Sequence, residues 1–355
     1  MIERIHRLIK HETNPPNSVI ELLSNTTIGT AGSLYQLLDT KEKIHQLHKP
    51  HFLYLERNEK AIGNVTICER PISMNGRTQD SLYIRYFAFD EVYQGGSKKG
   101  NGISAFHHYL KTLFNTSNLD PLEPEANKSV YWAFIDPENA RSFNMNEQFG
   151  FETIGKFRTT AFSRVTPKNS VKVSRIQKNE REGVLAAIKS FNEEYSFFSD
   201  VHLFDNGDYY VLKENNEIVA GIQANPVHWK IKSLPGLKGK ILMNAAPYIP
   251  RIRKLINPKN HKFLATEGLF WKKGFENRVE ELLGAVLHQS GHHSLLLWTD
   301  TNNTRLSELQ INWGFIQKSK KDNLIHIVAK FNGFETSEID QIKKSKKYLS
   351  GFDMT

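Results

Sequence analysis

Cysteine is nearly absent: Cys68 is the only one in 355 residues, so the chain can form no internal disulfide and no thiolate metal cluster of its own. It sits beside Ile67 in an alternating apolar segment with no His or Asp grouping to activate it, which reads as a buried strand cysteine. Long apolar runs are missing too. Stretches such as residues 241–243 and 295–298 fall far short of the roughly 20 residues that a membrane-spanning helix requires. Residues 1–10 alternate charge with apolar side chains and lack the continuous apolar core of a signal peptide, so the expected location is cytoplasmic, with no membrane partner. Metal-ligand spacing is lacking as well. Pro50 interrupts His45, His48 and His51, Gly291 interrupts His288, His292 and His293, and no carboxylate recurs beside either set, so no metal is expected.

What is present is enough apolar material for two cores. The length exceeds what one core usually organises, and 39% hydrophobic residues with 22 Phe and 12 Tyr leave no segment that reads as disordered. The formal charge of +9 attracts polyanions, of which a coenzyme with several phosphates is one and nucleic acid another. Lysines cluster at Lys318, Lys320 and Lys321 and at Lys343, Lys344, Lys346 and Lys347. No aromatic residues interleave them as a single-strand platform would want, so they read as a solvated helical face or a frayed tail, and nucleic acid is not favoured as a partner.

Along the chain, residues 1–49 read as helices and loops, with a helical apolar spacing at Leu34, Leu37 and Leu38. Residues 51–56 and 61–67 are apolar runs joined by a four-residue polar connection of hairpin type. A third run, 81–89, leads into a loop carrying Gly95, Gly96, Gly100 and Gly102, then a helical spacing over 103–114. Residues 131–135 read as a buried strand and 136–149 as a helix with Asp136 at its N-cap and Pro137 at its first position. Gly150 ends that helix, and 151–165 returns as extended chain.

Beyond a linker at 167–170 the same order begins again: a hairpin at 208–213 and 217–224, a strand at 263–270, a helix at 275–289, a strand at 294–298 and a helix at 300–313. Asp136, Asn139, Gly150 and Phe151 recur at identical offsets as Asp300, Asn303, Gly314 and Phe315. Gly63 to Gly150 spans 87 residues and Ala220 to Gly314 spans 94, which implies duplication. The expected domains are 1–167, 168–335 and a basic C-terminal tail, 336–355.

The segment Ser97, Lys98, Lys99, Gly100, Asn101, Gly102 joins a strand to a helix and suits phosphate binding. Its glycines let backbone approach the ligand, successive N–H groups converge, and the helix N-terminus and two lysines add positive charge. In this context the chain resembles the GNAT N-acetyltransferase superfamily, whose pyrophosphate loop reads Arg/Gln-x-x-Gly-x-Gly/Ala and whose next strand-helix unit carries Asn and ends in Gly-Phe. Residues 52–164 carry the resemblance well, and 208–330 more weakly. The implied fold class is α/β, two tandem units that are each a twisted mixed sheet flanked by helices.

The resemblance implies acetyl-CoA, or another acyl-CoA, as co-substrate and an amine-bearing small molecule or peptide as acceptor. It places the pyrophosphate on Gly100, Gly102 and their neighbours, the pantetheine against the strand edge at Phe87, Ala88 and Phe89, and a further contact on Asn139, where two strands splay. A backbone N–H of that edge would polarise the thioester carbonyl. Three departures stand out. Ser97 occupies the first motif position, although Gln94 could serve; the loop from 90 to 100 is long; and Asn146 stands where many relatives carry the tyrosine that protonates the leaving thiolate. For the general base the residues offer Asp136, Tyr83 and Glu69, with helix capping and core packing as the competing roles of the first two.

The second copy has only Gly274 at the matching junction, so no CoA is expected there. Its basic insertion at 230–261, with Arg251, Arg253 and Lys254, suits either acceptor or partner binding or a plain surface loop. Two rival functions remain: a Fem-like aminoacyl transferase using charged tRNA, against which the Gly-rich loop argues, and a non-enzymatic CoA-binding module.

Overall fold

The computed structural model describes residues 8–30, 32–74, 76–90, 101–116, 119, 128–205, 207–319 and 324–355. In the first half, β1 (Ile9–Glu12), α1 (Asn17–Asn25), β2 (Ile28–Thr30), β3 (Ser33–Leu37) and α2 (Thr40–Ile44) precede a hairpin of β4 (Pro50–Arg57) and β5 (Lys60–Met74). Then come β6 (Arg77–Phe89), α3 (Asn101–Leu113), β7 (Ser129–Ile135), α4 (Ala140–Gln148) and β8 (Glu152–Ser163). The second half opens with β9 (Val173–Arg175), α5 (Arg181–Phe191), β10 (Tyr195–Ser196) and the hairpin of β11 (Asp208–Glu214) and β12 (Glu217–Ser233). It continues through α6 (Gly236–Ala245), α7 (Pro250–Leu255), β13 (His261–Trp271), α8 (Val279–Ser290), β14 (Ser294–Asp300), α9 (Arg305–Glu308), α10 (Phe315–Ser319) and β15 (Leu324–Asn332). The chain ends in α11 (Thr336–Lys344), β16 (Lys346–Lys347) and a buried segment.

The two hairpins turn alike. Asn58 and Glu59 have φ of 50° and 61°, Asn215 and Asn216 have 49° and 65°, and two left-handed residues give a turn whose twist matches its strands. A bulge adjoins the turn at Leu55/Glu56 in one and at Leu212/Lys213 in the other.

The strands join in one 14-stranded sheet, ordered β1-β4-β5-β6-β7-β15-β8-β14-β13-β12-β11-β9, with β2 and β3 attached through β12. The halves interlock in its middle. β15 lies antiparallel between β7 and β8, and β8 pairs along its far edge with β14 from Ser294↔Ser163 to Asp300↔Phe157. One core therefore draws Val130, Trp132 and Phe157 from the first half and Ile327, Ile342 and Phe352 from the end of the chain. Each fully buried apolar side chain there contributes about 1.5–3 kcal/mol, so separating the halves would expose a shared core as well as a ladder. On the opposite face of the first half, Phe106 and Leu110 of α3 pack over Leu53, Ile67 and Tyr131.

The structure corrects three local readings. Residues 34–37 are strand, not helix: Tyr35 pairs with Ile231 and stacks on Trp229 at 4.0 Å, and that tertiary pairing overrides a short apolar spacing. The helix after β7 starts at Ala140 with Asn139 as its N-cap, the Asn139 side chain accepting from Ser142 N–H at 3.1 Å. Asp136 lies one turn earlier, where it accepts from Glu138 N–H at 3.0 Å. Of 300–313 only α9 is α-helical, because Asp300 and Asn303 close short local turns onto Asn302 and Arg305 N–H instead of starting one continuous helix.

Candidate functional site

Parallel strands β6 and β7 pair over only three positions, Ser81↔Val130, Leu82↔Tyr131 and Tyr83↔Trp132, and then part. The parting is built into β6. Tyr86 takes φ of 53° opposite a register shift at Asn64/Thr66, and Asn64 Nδ2 holds the bulge by donating to Tyr86 O at 2.9 Å and to Thr66 Oγ1 at 3.0 Å. Past the bulge, Ala88 and Phe89 still pair with Asn64 and Gly63 of β5, while the other edge of residues 84–89 has no strand beside it among the described residues.

Of the residues implied for coenzyme binding, Phe87, Ala88 and Phe89 therefore lie on this open edge. Phe89 meets Phe106 of α3 edge-on at 6.1 Å, which brings the early turns of that helix to the end of β6. Asn101 and Gly102 open α3 itself, whereas Ser97, Lys98, Lys99 and Gly100 lie outside the described residues. Asn139 stands at the end of β7 across the gap. Asn146 donates from Nδ2 to Ser142 O at 3.1 Å, inside its own helix.

The three base candidates lie apart, Glu69 on β5, Tyr83 on β6 and Asp136 just past the end of β7, each with its own partners. Asp136 Oδ2 accepts from Thr30 Oγ1 at 2.5 Å. Glu69, partly exposed, lies 2.9 Å from His51 Nε2 and 3.6 Å from Lys49 Nζ. Tyr83 is buried beneath the chain's last segment and donates to Asp353 O at 3.3 Å. Burial holds its hydroxyl well above the ordinary tyrosine value, so at neutral pH it is a donor and not a base. Cys68 is likewise buried, its thiol pushed up to about 11.

The second half repeats the parting. β13 and β14 pair only at Leu264↔Leu295 and Ala265↔Leu296. The third residue after the last pair has positive φ in both halves, Tyr86 in one and Gly268 in the other at 59°. Here the gap is crossed by the chain's own end. Tyr348 OH accepts from Gly268 N–H at 3.1 Å, Lys347 N–H donates to Asp300 Oδ2 at 2.8 Å, and a Cβ on Gly351 would lie 2.2 Å from Thr266 O. Residues 347–355 are thus largely packed inside the molecule.

That segment carries a buried charged layer that the sequence reading missed. Arg70 donates to both oxygens of Asp353 at 2.5 and 2.7 Å and contacts His202 Nε2 at 2.9 Å. Burial alone would push the Asp353 carboxyl up, but Arg70 outweighs it and holds the group below its ordinary value. His202 is pushed down to about 3 by burial and then by Arg70, so it is neutral and accepts. Arg85 donates to Phe352 O at 3.0 Å and to Thr355 O. Glu267, two residues past the last β13 pair as Arg85 is past the last β6 pair, is almost wholly buried; burial and then Asp353 push its carboxyl up to about 8. The available signal was Arg70 and Arg85 standing in otherwise apolar strand runs.

No family model and no curated protein sequence matches the chain. Its fold is matched by solved structures of Saccharomyces cerevisiae N-myristoyltransferase with bound myristoyl-CoA. One superposes with a TM-score of 0.55 at 11% identity, covering 96% of this chain and 88% of that one. A second, with inhibitors also bound, gives 0.53 at 12% over 96% and 85%, and a third 0.54 at 11% over 91% and 78%. The mixed α/β architecture is thus the fold of those N-myristoyltransferase structures.

Proposed function

We propose that the protein transfers an acyl group from an acyl-CoA to an amine, with the coenzyme held in the gap between β6 and β7. The observation that carries this is the three-residue pairing of those strands followed by a bulge, which leaves a strand edge open next to the N-terminus of a 13-residue helix. An open edge supplies N–H and C=O groups at strand spacing to an extended amide-bearing arm. The helix N-terminus supplies partial positive charge for the pyrophosphate, to which Lys98, Lys99 and the amides from Ser97 to Gly102 would add. That myristoyl-CoA is bound in structures of the same fold supports an acyl-CoA as the partner.

In this reading the amine attacks the thioester carbonyl, a backbone N–H near Phe87 to Phe89 stabilises the oxygen as charge develops, and the CoA thiolate leaves. Acetyl is the expected acyl group, the second unit shapes the acceptor side, and the work is done in the cytoplasm. The test is CoA release over a panel of amines and peptides with acetyl-CoA and with a long-chain acyl-CoA. Release with acetyl-CoA supports the full reading, and release with the long chain alone corrects the acyl group. No release with any acceptor, together with no acyl-CoA binding, would overturn it.

A further inference from the structure

Between Glu217 and Glu267 the sequence holds no Asp or Glu, yet it carries nine of the chain's 47 Lys and Arg. The remaining 38 match the 38 carboxylates, so the whole net charge of +9 is accounted for by this stretch. Its middle is the excursion of α6 and α7 between β12 and β13, fixed to the body by buried Ala246 and Leu255. The outward side is not the polar surface such anchoring usually leaves. Leu237 and Ile241, one turn apart on α6, are 75% and 57% exposed, and Tyr248 and Ile249, in the turn before α7, are 85% and 43% exposed. Four of the seven large apolar side chains that stand in solvent among the described residues fall within these 13 positions.

Beside them is a cavity of about 190 Å³ bounded by Arg253, Lys254, Lys262, His261, His292 and His293. No carboxylate lines it, and among the described residues Arg253, Lys254 and Lys262 make no ion pair. Burial pushes His261 down to about 4, and His292 is also lowered, by burial with His228, Lys262 and His293 acting against the Ser290 carbonyl. The cavity therefore concentrates positive charge without an internal counter-ion. It lies where β13 and β14 begin, at the opposite end of those strands from their parting.

We propose that the α6–α7 excursion is a peripheral docking surface for anionic lipid bilayers, its exposed aliphatic side chains entering the interface and the Arg253, Lys254 and Lys262 cavity receiving a lipid phosphate. Aliphatic groups beside unpaired cations match an interface that is apolar below and anionic at its headgroups. Nucleic acid offers Leu237, Ile241 and Ile249 nothing, since its exposed bases want aromatic platforms and only Tyr248 is present. Peripheral contact needs no spanning helix, and no helix among the described residues is long and apolar enough to cross a membrane. The proposal does not depend on the acyl-transfer reading.

The test is co-sedimentation of the full chain with vesicles of phosphatidylcholine alone and of phosphatidylcholine with about one-third phosphatidylglycerol at near-physiological salt. It compares wild type with Leu237→Ser/Ile241→Ser and with Arg253→Gln/Lys254→Gln/Lys262→Gln. All five positions are partly or fully exposed, so unchanged melting temperatures should accompany both variants. The expected result is capture by the anionic vesicles only, weakened at least about tenfold by either set of changes. Absence of capture, equal capture by neutral vesicles, or variants that match wild type would overturn the proposal. So would capture that only the charge variant loses and that transfer RNA competes away, because that pattern belongs to a nucleic-acid surface.

Discussion

The same strand parting occurs twice in the molecule with opposite surroundings. In the first half, residues 84–88 keep an edge without a strand partner among the described residues, next to the start of α3. In the second, Gly268 N–H is already taken by Tyr348 and Asp300 by the backbone of Lys347. A parting of strands alone therefore does not make a ligand site. The difference lies in the described segments that border each gap: the start of α3 beside β6, and residues 347–355 packed across the parting of β13 and β14.

The largest predicted effects come from breaking the threaded end. Arg70 and Asp353 are almost wholly buried and joined by two hydrogen bonds, so Arg70→Ala should cost about 3–5 kcal/mol by leaving the buried carboxylate with only the more distant Arg85, at 3.9 Å. Replacing both by apolar residues of similar volume should recover most of that loss. Urea unfolding midpoints of the three proteins check the pair. Gly351→Ala should cost on the order of 3 kcal/mol, because its Cβ would meet backbone at Thr266 and no side chain can turn aside.

A smaller effect sharpens the contrast between Arg85 and Glu267. The Glu267 carboxyl is raised above its unfolded value, so its contribution to stability is fully present below about pH 4.5 and is lost as pH rises through about 8. Melting of wild type and Glu267→Gln across that range should show wild type losing roughly a few kcal/mol relative to the variant. Parallel curves would mean that Glu267 does not hold a proton in the folded state. The smallest effect is Asn146→Ala. The Asn146 amide is occupied within its own helix and cannot release a proton, so CoA release at saturating acyl-CoA should fall by about tenfold or less, against the 10²–10⁴-fold typical of a positioned general acid.

Most of the strand order was legible in sequence because buried strands leave apolar runs and their turns leave Asn and Gly. The α/β class came from the family resemblance, and the repeated Asp, Asn, Gly-Phe spacing carried only the expectation of duplication. The interlocking of β15 between β7 and β8 left no local mark, since each strand reads the same beside any neighbour. The buried end was misleading for a physical reason. Lys343, Lys344 and Lys346 are surface residues, but Lys347 is almost fully buried and spends its ammonium on the Lys343 and Ser345 carbonyls, a role that composition hides. Arg70 and Asp353 are 283 positions apart, so their pairing was beyond any pattern read along the chain. The open edge at Phe87 to Phe89 was anticipated only through the resemblance, and the four loop residues Ser97 to Gly100 lie outside the described residues.

The central claim is that only the first parting holds a coenzyme, and titration calorimetry with acetyl-CoA tests it most directly. The account predicts one site per chain, abolished by Gly100→Val or Gly102→Val, whose new side chains would enter the phosphate path, while the melting temperature stays unchanged. Two sites per chain, or one site whose affinity is the same in both variants, would contradict it.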